Sequence, residues 1–141
     1  HANAKEEDQN NLYAFGKHLG VAFKLMDDLL DAFATDPKKF GKQIGGAILA
    51  NKQTFLYLKT FELANEKQKK ELKKLLKTKD PAKKVEGVLA IYNELNIKKL
   101  CQQEADRHTL QAIDLLNKVN ANSSKKEALK SYAKELLNRQ A

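Results

Sequence analysis

Residues 6–34 contain no proline and repeat apolar side chains every three or four positions, which one long helix satisfies. The opening "KEEDQ" places carboxylates where a helix N-terminus attracts negative charge. "ATDPKKFGKQIGG" (34–46) then ends the helix with Asp36-Pro37 and three glycines. A second helix is expected over about 47–64, a Lys-rich one over 66–78, and another from the Asp80-Pro81 cap to about 95. "NIKKLCQQEADRHTLQAIDLLNKV" (96–119) spaces its apolar residues for a further helix. After "NANSS" a last helix covers 124–138, with Ser123 or Ser124 as N-cap. No stretch alternates like a strand beside a hairpin turn. The chain therefore reads as all-α, an antiparallel bundle of about six helices in a single helical domain over 1–141.

Composition narrows the function classes. A chain of 141 residues, 42% hydrophobic, is long enough to bury one core. The single Cys101 excludes an intrachain disulfide, and His18 and His108 read as partly exposed helix residues without zinc-ligand spacing. No apolar run approaches the ~18 residues that a membrane span requires, and the start is unlike a signal peptide. A soluble, cytoplasmic protein is expected. The net charge of +8 raises the question of nucleic acid. Most lysines, however, sit in residues 65–84 among Leu72, Leu75 and Leu76 at helical spacing, the pattern of a solvated helix face. Without aromatic interleaving or a binding motif, no nucleic-acid partner is expected.

One stretch departs from that pattern. "FKLMDDLLDAFATD" (23–36) sets Asp27, Asp28 and Asp31 among leucines. At roughly 100° per residue, Gly16, Gly20, Lys24 and the three aspartates share a narrow stripe, while Val21, Ala22, Phe23, Leu25, Met26, Leu29, Leu30, Ala32 and Phe33 share the broad apolar side. Two carboxylates about 6 Å apart repel by roughly 3 kcal/mol at an effective dielectric near 20, so such a stripe in a cleft needs cations. Hard oxygen donors select magnesium or calcium, and one or two carboxylates with water and phosphate suit magnesium. Downstream, "FGKQIGGAILANKQTF" offers Lys42 and Lys52 as phosphate-binding charges, with Gly41, Gly45 and Gly46 letting backbone approach a ligand.

Together "GKHLGVAFKLMDDLLD" and "FGKQIGGAILANKQTF" resemble the second aspartate-rich motif and following loop of the trans-isoprenyl diphosphate synthases, or polyprenyl synthetases. The resemblance runs over about residues 10–56, and the remainder fits the family's succession of C-terminal helices. It implies a prenyltransferase of isoprenoid biosynthesis that condenses an allylic diphosphate with isopentenyl diphosphate, with Mg2+ as cofactor. It also implies Asp27 as a magnesium ligand, Asp28 and Asp31 as further ligands or orienting groups, and Lys42 and Lys52 as the catalytic and substrate-binding cations. Thr54 is a lesser substrate contact.

The chain departs from the family pattern in three ways. Lys24 stands where the family has glutamine, Ala47 stands where it has aspartate, and the first aspartate-rich motif is missing. The chain thus resembles a C-terminal half, expected to be inactive alone and to form a homodimer or larger species through apolar helix faces left bare. The alternative is a catalytically inactive helical module that binds a partner chain.

Overall fold

Local capping explains several helix boundaries in the computed structural model, which describes residues 2–33, 45–119 and 123–137. Seven helices occur among them: α1 (Ala2–Phe33), α2 (Gly46–Leu49), α3 (Phe55–Leu63), α4 (Glu66–Leu76), α5 (Pro81–Glu94), α6 (Ile97–Asn117) and α7 (Ser123–Leu137). No strand is present among the described residues. The all-α expectation holds. α1 begins at Ala2, so Glu6, Glu7 and Asp8 lie inside the helix rather than in its first turn.

The expected helix over 47–64 is two helices. Asn51 adopts φ 55°, a left-handed conformation that asparagine tolerates and that stops α2. Thr54 then starts α3, its Oγ1 accepting the Tyr57 N–H at 3.3 Å. Asn96, also at φ 55°, separates α5 from α6 in the same way. α4 opens on a capping box in which Asn65 Oδ1 accepts the Gln68 N–H (2.8 Å) and Gln68 Oε1 accepts the Asn65 N–H (3.0 Å). Asp80 caps α5 through the Lys83 N–H, with Pro81 at the first helical position, as the sequence pattern predicts.

The described residues divide into two compact units: α1 up to Met26 with α6 from Gln103 and α7, and the described part of Asp27–Gln102. In the second unit α5 is the hub, touching α2, α3 and α4. Val88, Ile91 and Tyr92 are its buried apolar contribution, facing a core that includes Leu56, Leu72 and Leu75. A Cβ at Gly87 would lie 2.5 Å from Leu75 Cδ2, so glycine sets the close approach of α5 to α4. The lysines of α4 remain at the surface while Leu72 and Leu75 are buried. In the first unit Phe15, Ala112 and Leu116 form a small core flanked by Leu19 and Leu115. The buried hydroxyls of Thr60 and Thr109 donate to the carbonyls of Leu56 and Ala105 one turn earlier, so neither is left unsatisfied.

Candidate functional site

The last turns of α1 carry the acidic motif, but the three aspartates do not share one environment. Asp27 is half-buried, Asp28 is only 9% exposed, and Asp31 is half-buried. Asp28, a quarter-turn from Asp27, borders the apolar side and is carried into the packing, whereas Val21 and Phe23, expected on that side, are exposed. Upstream the stripe is open, since a Cβ at Gly16 or Gly20 would meet nothing within 4 Å and Lys24 is exposed.

Asp31 is bound to the backbone that follows. Its carbonyl accepts the Gly45 N–H at 2.7 Å and its Oδ2 accepts the Ala47 N–H at 2.9 Å. Gly45 turns at φ 78°, and a Cβ there would sit 2.9 Å from Val85 Cγ2, so both conformation and space demand glycine. This double staple seats α2 against the end of α1 within the unit. Lys42 lies outside the described residues.

A shallow crevice of about 20 Å³, room for one water, is lined by Asp28, Ala47, Asn51, Lys52, Thr54 and Tyr92. Three of the sequence-predicted residues, Asp28, Lys52 and Thr54, thus meet at one place, and Asp31 acts on it through Ala47. Asp27 does not line it. Lys52 is exposed, while Thr54 is half-buried and uses its hydroxyl as the α3 cap. The sequence pattern offers no sign of Tyr92. It is buried, its ring 6.1 Å from that of Phe33, and it comes to the crevice from α5, far along the chain. Burial, reinforced by Tyr57, pushes the Tyr92 phenol well above the usual tyrosine range, so it stays protonated.

A hard cation suits these donors only in one form. Among the described residues no three His, Cys, Asp or Glu side chains gather to hold a metal by themselves. A carboxylate beside an ammonium, with an orienting aspartate behind, instead fits magnesium held by one or two carboxylates, with water and phosphate completing its shell. No helix among them is long and apolar enough to cross a membrane.

Known proteins share this chain's sequence pattern and fold. The family model for polyprenyl synthetases matches residues 1–95. The chain is 34% identical over 124 residues to geranylgeranyl diphosphate synthase of Sulfolobus acidocaldarius, covering 86% of this chain and 37% of that protein. It is 26% identical over 132 residues to octaprenyl diphosphate synthase of Haemophilus influenzae, covering 94% and 40%. The crystal structure of geranylgeranyl pyrophosphate synthetase from Pyrococcus horikoshii superposes with a TM-score of 0.83 at 28% identity, over 96% of this chain and 40% of that one. The chain spans well under half the length of these relatives.

Proposed function

The chain belongs to the polyprenyl synthetase family, and on that premise we propose that it forms the second acidic wall of a prenyltransferase joining an allylic diphosphate to isopentenyl diphosphate. The observation that carries this reading is the meeting of Asp28, Lys52 and Thr54 at one crevice, with Asp31 orienting the Ala47 backbone beside them. Asp28 would hold magnesium from the crevice and Asp27 from the adjacent position on α1, and Asp31 would serve it by positioning. Magnesium, when bound, supplies positive charge to the departing diphosphate. Lys52 and Lys42 add point charges to the same leaving group, and the Thr54 hydroxyl is a further contact to it. The neutral Tyr92 phenol offers a donor without adding negative charge.

The chain spans 37% of a relative such as the Sulfolobus acidocaldarius enzyme, so the reading assigns it one wall and no turnover by itself. Incubation with labelled isopentenyl diphosphate, an allylic primer and magnesium is expected to give no extractable product. Calorimetry is expected to detect inorganic diphosphate binding in the presence of magnesium, weakened about 10–100-fold by Lys52→Ala or Asp28→Asn. Lys24→Gln with Ala47→Asp should tighten it, since the pair removes a competing cation and restores a carboxylate at the crevice.

A specific feature favours a second reading, an inactive module that binds a partner chain: Ala47 presents only a methyl group to the crevice. Absence of any magnesium-dependent diphosphate binding would select it. Both readings involve self-association or a partner, because Tyr13 (75% exposed), Phe23 (45%), Leu110 and Tyr132 leave apolar area in water. Light scattering is expected to find a dimer or larger species, and a strict monomer would overturn that expectation.

A further inference from the structure

We infer that Lys84 is a positioning residue for the crevice, a buried ammonium that holds the Leu49–Thr54 segment in place. Its location is unfavourable for a cation on two counts. It is 5% exposed, and it lies in the first turn of α5, where the helix dipole disfavours positive charge. Its contacts offset both. Nζ donates to the Leu49 carbonyl at 3.2 Å and to the Leu76 carbonyl at 3.3 Å, the last residues of α2 and α4. Those carbonyls are the negative ends of two helices, so a single ammonium answers two sets of unpaired acceptors. Asn51 Nδ2 reaches the same Leu76 carbonyl at 3.4 Å, which ties the left-handed turn to the same point.

The consequence falls on the crevice wall. Asn51, Lys52, Thr54 and Leu76 all line it, and Leu49 immediately precedes the turn that brings Lys52 there. Without the ammonium, two helix ends lose a buried donor and the turn is held by the Asn51 Nδ2 bond to Leu76 and by backbone bonds such as Asn51 N–H to Ile48 O (3.1 Å) and Lys52 N–H to Ala47 O (2.9 Å). Lys84 does not line the crevice, so it acts through Lys52 and Thr54 rather than on a ligand.

The inference rests on reading the crevice as a diphosphate wall, and the experiment separates the two. Hydrogen exchange at the Asn51 and Lys52 amides is measured for the wild-type chain, Lys84→Met, Lys84→Arg and the core variant Leu72→Ala, beside calorimetry with magnesium and inorganic diphosphate. Lys84→Met is expected to exchange about tenfold faster at those two amides, the factor that loss of about one net hydrogen bond produces. It should bind diphosphate about tenfold more weakly, as for changes to supporting groups behind a site. Lys84→Arg keeps donors for both carbonyls and should restore both readouts, whereas Leu72→Ala should lower the melting temperature without that local exchange change. If Lys84→Met fails to fold, Lys84→Gln is judged by the same criteria. Wild-type exchange rates at Asn51 and Lys52 in the variant would overturn the role of Lys84. A wild-type chain with no magnesium-dependent affinity would overturn the reading of the crevice instead.

Discussion

Polar side chains do different work in the two compact units. Between Asp27 and Gln102 those around the crevice bind backbone: Asp31 takes the Ala47 N–H, Thr54 the Tyr57 N–H, and Lys84 gives hydrogen bonds to Leu49 and Leu76. In the other unit one linked set of side chains joins α1 to α6. His18 Nδ1 lies 2.9 Å from His108 Nδ1, His108 Nε2 lies 3.3 Å from Glu104, and Glu104 also pairs with Arg107. A side chain bonded to backbone fixes where the main chain runs, which a wall built from a turn requires. Side chains paired along helix surfaces leave the main chain to the helix and add titratable contacts instead. The comparison teaches that the candidate site is recognisable by its backbone anchoring as much as by its charges.

Gly45→Ala should break the anchored unit most severely. It forces a left-handed alanine and drives a Cβ against Val85, for a combined loss of about 2–4 kcal/mol, read by urea unfolding. A loss below ~1 kcal/mol would mean that the turn relaxes freely and the staple is dispensable.

Asp31→Ala comes next. It removes a charged acceptor from the Ala47 N–H and should lose about 1.5–3 kcal/mol, while Asp31→Asn keeps an acceptor and should recover much of that. Equal losses for the two variants would show that the charge, not the hydrogen bond, matters at this position.

The smallest effect belongs to the histidine pair. Burial, followed by Arg107, holds His108 below the usual imidazole value of 6.5, with His18 acting the same way and Glu104 opposing. A folded-state value depressed in this way means that the unfolded chain takes up the proton first. Stability from the pair is complete above about pH 6.5 and is lost as pH falls through the lower, folded value. Two protonated rings would also bring Nδ1–H groups head to head at 2.9 Å. His108→Phe should flatten the decline in stability between neutral pH and pH 5, measured by thermal melts across that range. An unchanged slope would remove the pair from the account.

A helix boundary is legible in sequence where its cause lies within one turn. Asp80 and Pro81 open α5 because a cap and a fixed φ act within one turn. The aspartates, Lys52 and Thr54 were visible for the same reason, as a short motif followed by a loop within thirty-odd residues. The split at Asn51 was missed because apolar residues continue through it. Asparagine's tolerance of the left-handed region, with Thr54 as a ready cap, was the only signal available.

The sequence by itself determined an all-helical chain, its main caps and its family, since periodicity, capping and a contiguous motif all act over a few residues. Tertiary structure alone decided that Asp28 is buried while Gly16 and Gly20 are open, because a helix's own wheel cannot say which side a neighbour will cover. It alone brought Tyr92 to the crevice, Lys84 beneath the turn and His108 to His18. Those partners come from distant parts of the chain. Burial and pairing then set the properties of each group: a phenol kept protonated, a buried ammonium, an imidazole that accepts its proton only at lower pH.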